Sequence, residues 1–300
     1  MSALQKLHHA IRTNPRLGRM AIRAIPNIPW SVNVRHIGPM KINLRTNRSY
    51  WLRDPVEGEK FILGAMQQLV RPGDIVFDVG ANIGLHVRFL VQQFGAGKVI
   101  AFEPAPSNIK LLQRNIQLAN CENSTQIFPI ALADFDGEDE FQVDNVSSAT
   151  GALNIITCGE PSQARKQYGF SAITERVTVA QCDTLMARGD IPIPSVIKVD
   201  VEGAEERFLR GSLVTLQKYA PNLVIELHGA EAAKAVVKLL QAVGYHIFGY
   251  LTSRCGTSKY KDIKAVDISE IRDQYSLLCC VAGRNPKVLE THTDYRPNDR

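Results

Sequence analysis

FDVGANIGLH, residues 77–86, decides the fold of this chain. It closes the apolar run IVFDV (75–79), which reads as a buried strand. The chain then turns through two glycines with an asparagine between them and enters LHVRFLVQQF (85–94), whose apolar spacing is helical. Strand, glycine turn and helix in that order make the first half of a βαβ unit.

The alternation continues outward in both directions. Upstream, EKFILGAMQQLV (59–70) reads as a helix that stops before the turn RPGD. Downstream, KVIAFE (98–103) is a strand, and APSNIKLLQRNIQLAN (105–120) is a helix with Ser107 as its N-cap. TQIFPIAL (125–132) is a third strand. DFDGEDEFQV (134–143) turns on Asp-Gly into an antiparallel strand. Residues 144–174, rich in Ser, Thr, Gly and Ala without a period, read as an insertion over the active face. ERVTVAQC (175–182) and CDTLMARG (182–189) are a strand and a short helix. SVIKVD, AEERFLRGSLVTLQKYA, NLVIELH, AEAAKAVVKLLQAVG, YHIFGY and YSLLCCVAG follow as strand, helix, strand, helix and two strands. This order predicts an α/β fold: a doubly wound, mostly parallel sheet with helices on both faces.

Composition sets the bounds. The chain has 300 residues, 45% hydrophobic and 22% charged, as ordinary globular chains do. Its apolar runs fall short of the roughly 18 residues a membrane helix needs. The six cysteines form no CxxC pair and no ligand spacing with histidine, so they are expected as buried thiols of a reducing, cytoplasmic compartment. No signal peptide is expected. The net charge of +5 is uneven, because no Asp or Glu precedes Asp54 while ten Lys and Arg do. Residues 1–56 are therefore expected as a basic extension, 57–284 as the main domain and 285–300 as a tail. Leu4, Leu7 and Ile11 stand at helical spacing. The extension could be a solvated helix packed on the main domain, a lid over an anionic acceptor, or a membrane-surface or targeting segment. Trp30, Tyr50 and Trp51 would offer it aromatic faces.

In open α/β sheets the ligand sits beyond the C-terminal strand ends. Dinucleotides ask for GxGxxG, but here Asn82 and Leu85 occupy the second and third glycine positions. The loop of S-adenosylmethionine enzymes, acidic-x-Gly-x-Gly-x-Gly, fits Asp78–Gly84 with one exchange. Asn tolerates the left-handed backbone that the middle glycine serves. A side chain at Gly80 would then project into the ligand's path. Glu103, at the end of the second strand and about 20 residues past the loop, can accept both hydroxyls of a ribose. A glycine turn serving only helix–strand packing, with a solvated acid beside it, remains the plain alternative.

DVGANIG (78–84), AFEP (101–104), ALAD (131–134), IKVDVEGAEERFLRG (197–211) and PNLVIELH (221–228) together resemble the FkbM-type S-adenosylmethionine-dependent methyltransferases. The resemblance spans about residues 57–250, and DVEGAE is its most specific piece. It implies the seven-stranded, class I methyltransferase version of the Rossmann-like sheet. It further implies O-methylation of a sugar, a polyketide or another secondary metabolite. Residue by residue, it assigns Asp78, Gly80, Ala81, Asn82 and Gly84 to the cofactor loop, and Glu103 and Pro104 to the ribose. Ala131 and Leu132 would lie beside the adenine, Asp200 beside the cofactor, and Glu57 or Glu59 over its amine.

Methyl transfer asks for alignment and for removal of the acceptor's proton. Asp200, Glu202, Glu226 and His228 lie at the ends of two neighbouring strands and are the candidate catalytic residues. Their plain readings are an N-cap for Asp200, a helix-dipole contact for Glu202 and a backbone-bonded ring for His228. Lys198 is read as pairing with an acid. The route adopted is metal-free, with His228 or Glu226 as base, since His titrates near neutral pH. The alternative is Mg²⁺ held by the carboxylates. Rival functions are a nucleic-acid methyltransferase, an NAD-binding oxidoreductase and a non-catalytic scaffold. The first lacks the Asn/Asp-Pro-Pro-aromatic motif of base-amino methylation, because DVEG stands in its place.

Overall fold

The computed structural model describes residues 14–144, 147–148, 151–157, 172–253, 259–262 and 275–284. Most of the expected insertion, the tail 285–300, Leu4, Leu7 and Ile11, and the side chains of Cys158, Cys255, Cys279 and Cys280 lie outside what is described. Cys121 and Cys182 are buried free thiols, as expected.

The described helices are α1 (Pro15–Ala24), α2 (Ser49–Leu52), α3 (Pro55–Gly58), α4 (Lys60–Leu69), α5 (Leu85–Gln92), α6 (Pro106–Leu118), α7 (Asn154–Thr157), α8 (Cys182–Arg188), α9 (Glu205–Arg210), α10 (Leu213–Tyr219) and α11 (Ala230–Ala242). The strands are β1 (Pro29–Val34), β2 (Gly38–Asn43), β3 (Ile75–Val79), β4 (Lys98–Phe102), β5 (Thr125–Phe128), β6 (Ile130–Leu132), β7 (Gly137–Asp144), β8 (Ala152–Leu153), β9 (Ala172–Ala180), β10 (Val196–Val199), β11 (Asn222–Glu226), β12 (His246–Ser253), β13 (Lys259–Asp262) and β14 (Tyr275–Gly283).

The main sheet runs β13-β12-β14-β11-β10-β3-β4-β5. The seven strands from β12 to β5 are the expected doubly wound sheet, and the short β13 extends one edge. β5, β4, β3, β10 and β11 are mutually parallel, whereas β14 runs antiparallel to both neighbours. Period-two alternation feeds both faces. Val76, Val99, Ala101 and Val196 face α4, α5 and α6, while Phe77, Ile100, Phe102, Ile197 and Val199 face α8 to α11. Burying side chains of this size contributes about 1.5–3 kcal/mol each. The chain leaves β3 towards β5 and returns to β10 on the other side, so β3 and β10 flank the switch point.

Three local expectations are corrected. TQIFPIAL is two strands, because Pro129 has no N–H for the ladder; β5 ends there and β6 joins a second sheet, β6-β9-β7-β8. AEERFLRGSLVTLQKYA is two helices, broken at Gly211, where a Cβ would lie 1.9 Å from the Ala133 carbonyl oxygen. Helix α6 begins with Pro106 at its first position and Ala105 as N-cap, so Ser107 does not cap it.

The basic segment contributes a hairpin, β1–β2, that the sequence reading missed. Its Val34, Met40 and Ile42 enter the same core as α4, α5 and α6. The buried Arg88 guanidinium donates to the carbonyls of Ile37 and Pro39. Buried Asn115 accepts from the Lys41 N–H at 2.6 Å and donates to the carbonyls of Lys41 and Ile83 at 3.0 and 2.8 Å.

Candidate active site

Two cavities meet beyond the C-terminal ends of β3 and β10. The first is an open-sided cleft of about 630 Å³, walled by Gly80, Asn82, Glu103, Pro104, Ala131, Leu132, Asp200 and Glu202 among others. The second, about 1070 Å³, lies between the glycine turn and Thr46–Arg53 and includes Tyr50, Glu59, Ala81, His86 and Asp200. Of the three aromatics singled out, only Tyr50 lines either cavity. Trp51 donates its indole N–H to the Leu44 carbonyl at 2.8 Å, and Trp30 is exposed.

The turn after β3 has the backbone its sequence implies. Gly80, Asn82 and Gly84 have φ of +79°, +48° and +90°. Asn82 thus holds the left-handed middle position, as Asn can. The N–H groups of Gly80 and Ala81 both donate to the Phe102 carbonyl at 3.0 Å, which ties the turn to β4. The Asn82 N–H donates to Glu103 Oε2 at 2.8 Å. Glu103 Oε1 accepts from the Ala105 N–H at 3.0 Å and from Asn108 Nδ2 at 3.2 Å. Burial pushes the Glu103 carboxyl up to about 7, against the pull of these donors. Asn82 Oδ1 and His86 Nε2 are buried without hydrogen-bond partners.

The reason for Gly80 is corrected. A Cβ there would lie 1.8 Å from the Asp200 carbonyl oxygen, so the glycine lets two strand-end turns touch. A Cβ on Gly84 would meet Leu112 Cδ1 at 2.7 Å, which makes Gly84 a packing position against α6. Asp78 lines neither cavity. It is fully buried behind the turn and ion-paired at 3.0 Å with Lys198 Nζ. Lys198 pairs as expected, and it also donates to the Gly80 carbonyl at 3.1 Å and lies 3.6 Å from Asp200 Oδ2. Glu59 Oε2 stands 3.5 Å from His86 Nε2, whereas Glu57 pairs with Lys60 on the surface.

The second constellation grows from the turn 200–204. Glu202 has φ +49° and Gly203 +99°. Helix α9 starts only at Glu205 with Ala204 as its N-cap, so Asp200 caps nothing and Glu202 precedes the helix. Glu205 was missed by the sequence reading. It is fully buried; its Oε1 accepts from the Gly203 N–H at 3.0 Å and lies 2.7 Å from His228 Nδ1. The sequence marks it only as an acid in a first helical turn, which says nothing of a ring at residue 228. The Nε2 of His228 faces Asp200 Oδ1 at 3.8 Å and Glu202 Oε2 at 3.7 Å.

These charges set the protonation. Burial lowers the His228 pKa, but the Glu205 hydrogen bond and the Glu202 and Asp200 carboxylates outweigh it and lift it to about 10. Burial, then the Asp200 and Glu59 charges, push Glu226 up to about 9. Burial moves Glu202 to about 7, with His228 pulling it down. The surrounding carboxylates thus favour the protonated ring of His228, and burial favours the protonated carboxyl of Glu226.

Comparison with known proteins gives a consistent picture. The methyltransferase FkbM domain profile matches residues 78–247. Hexuronic acid methyltransferase AglP of Haloferax volcanii is 26% identical over 203 residues, covering 67% of this chain and 75% of that protein. The 31-O-demethyl-FK506 methyltransferase FkbM of Streptomyces tacrolimicus is 27% identical over 202 residues, covering 59% and 75%. A solved FkbM methyltransferase of Methylobacillus flagellatus aligns with a TM-score of 0.42 and 16% identity, over 70% of this chain and 43% of that one. Among the described residues, no helix is long and apolar enough to cross a membrane.

Proposed function

We infer what this protein does from the fact that it belongs to the FkbM methyltransferase family, whose domain its residues 78–247 match. We propose that it is an S-adenosylmethionine-dependent O-methyltransferase acting on a hydroxylated small molecule or glycan. One observation carries the reading. The left-handed Asn82 and the ribose-site acid Glu103 are joined by a 2.8 Å hydrogen bond in the wall of a cleft that opens onto Asp200 and Glu202.

The residues fit the cofactor. The buried, unpartnered Asn82 Oδ1 and the Glu103 carboxylate at the cleft wall suit a ligand with hydroxyl and amino donors. Ala131, Leu132 and Phe141 give the same cleft an apolar end for a flat base. Gly80, Ala81 and Asn82 would hold the methionine part, Glu103 the ribose, and Glu59 the amine. Bound there, S-adenosylmethionine supplies an electrophilic methyl group on a sulfonium. The chain's own work is to orient the acceptor oxygen and to draw off its proton at the cluster of Asp200, Glu202 and His228. The oxygen acceptor is supported by the relatives' names, which include a 31-O-methylation and a hexuronic acid.

The test is incubation with labelled S-adenosylmethionine and a panel of glycans, uronic acids and polyketide alcohols, read by mass spectrometry. A labelled methyl on an acceptor oxygen is the expected product. Calorimetry with S-adenosylmethionine, NAD and RNA runs beside it, and binding of NAD or RNA in place of S-adenosylmethionine would overturn the reading.

A further inference from the structure

We propose that Asp200, Glu202 and His228 form a site for a divalent cation of the Mn²⁺ or Mg²⁺ class, beside the cleft that Asp200 and Glu202 line. Only its purpose rests on the methyltransferase reading above. The cation site itself stands on geometry.

The ligand atoms of the three side chains all lie within 4.8 Å of one another. Nε2 of His228 is 3.8 Å from Asp200 Oδ1 and 3.7 Å from Glu202 Oε2. Atoms so spaced can each reach about 2.1–2.2 Å from a common centre with little movement, the distance that small divalent ions take to oxygen and imidazole nitrogen. The donor set is two hard carboxylates and one imidazole, which suits Mn²⁺ and tolerates Mg²⁺. Each of the three side chains is about a quarter exposed, at 26–28%. That leaves coordination positions open towards the cleft for water and for the acceptor oxygen.

A separate observation comes from behind the ring. Glu205 is fully buried, and while its Oε1 holds His228 Nδ1 at 2.7 Å, its Oε2 has no hydrogen-bond partner. A ligating histidine commonly gives its other nitrogen to a carboxylate in this way, which fixes the tautomer and points the free nitrogen at the ion. The same Glu205 oxygen accepts from the Gly203 N–H at 3.0 Å, so one buried acid anchors both the ring and the turn that carries Glu202. Nearby, the Lys198 ammonium is shared between Asp78 and the Gly80 carbonyl and stands 3.6 Å from Asp200 Oδ2. A divalent ion would balance the buried negative charge. Bound to the acceptor, it would lower the pKa of the hydroxyl.

The test uses the full chain stripped with chelator and titrated with Mn²⁺. Binding is read by loss of the free-ion EPR signal, and nitrogen coupling by electron spin-echo modulation. One ion per chain, displaced by excess Mg²⁺ and carrying an imidazole nitrogen coupling, is the expected result. His228→Ala and His228→Gln should both remove that coupling, and Glu205→Gln should weaken binding about 10- to 100-fold. Circular dichroism confirms that each variant is folded. A chain that binds S-adenosylmethionine by calorimetry but takes up no Mn²⁺, or takes it up without the nitrogen coupling, overturns the cation site and leaves the methyltransferase reading intact. A chain that binds Mn²⁺ at His228 but no S-adenosylmethionine keeps the site and overturns the other reading.

Discussion

Lys198 and Asp78 form the most buried ion pair among the described residues, since both side chains are essentially without solvent, at 1% and 0% exposed. Removing one partner leaves an uncompensated charge in the core. Lys198→Met should cost about 3–5 kcal/mol in denaturant unfolding, and adding Asp78→Leu should recover part of it. The acid of the sequence fingerprint therefore serves the loop by holding it from behind. Glu103 carries a different consequence. Its value of about 7 lies above the ordinary 4.5, so the folded state holds its proton more tightly than the unfolded chain. The stabilising contribution of this group is full at low pH and is lost as pH rises through about 7. Cofactor binding runs the other way, because ribose hydroxyls donate best to the ionised carboxylate. Affinity for S-adenosylmethionine measured by calorimetry should rise between pH 6 and 8. Glu103→Gln should flatten that profile, and Glu103→Ala should lose about 1.5–3 kcal/mol of binding.

The element that matters most is the pair of turns after β3 and β10. Gly80→Ala places a Cβ 1.8 Å from the Asp200 carbonyl, so backbone must move at both strand ends. It should lower the melting temperature and abolish cofactor binding together. Asn82→Gly should leave the melting temperature nearly unchanged or raise it slightly. Glycine meets φ +48° without strain and keeps the N–H that Glu103 accepts. The same variant should weaken cofactor affinity, because the side-chain oxygen is gone. These two outcomes separate a glycine required by contact from an asparagine chosen for its side chain. The helix after β10 teaches a similar lesson. Its apolar period runs unbroken through Gly211, where the Ala133 carbonyl leaves no room for a Cβ, while Asp183 accepts from the Val214 and Thr215 N–H groups of the second helix at 2.8 Å.

At the scale of the whole molecule, the basic N-terminal segment and the catalytic domain share one core. Asn115, fully buried on α6, joins the hairpin strand β2 to the Ile83 carbonyl of the glycine turn. Asn115→Ala should cost about 1–3 kcal/mol for each buried backbone group left unpaired. It should also speed amide hydrogen exchange in residues 38–43 and 80–84, while β10 and β11 stay protected. If those two stretches exchange as in the parent, the hairpin and the turn are not coupled through this side chain. We propose that Thr46, Arg48, Ser49, Tyr50, Leu52 and Arg53, which line the second cavity, form part of the acceptor site. Arg53→Ala should then raise the acceptor KM and leave cofactor affinity alone, as steady-state kinetics and calorimetry would show.

Local pattern was enough for the doubly wound sheet, the order of its strands and helices, and the left-handed backbone of the glycine turn. Alternation of apolar residues, turn glycines and helix periods is written in neighbouring residues, so IVFDVGANIGLH is legible by itself. The placement of an acid at the end of the second strand is legible for the same reason. Four things were decided only in three dimensions. Gly80 is needed because the Asp200 carbonyl comes from a strand 120 residues later in the chain. Asp78 faces Lys198, not the cleft. The N-terminal hairpin docks through Arg88 and Asn115, whose sequence neighbours give no hint of it. His228 is held on its Nδ1 side by Glu205, silent in its own helix, at 2.7 Å. Each of these depends on distance between chain segments, on burial and on summed charge, and those quantities exist only once the sheet has brought β3, β10 and β11 side by side.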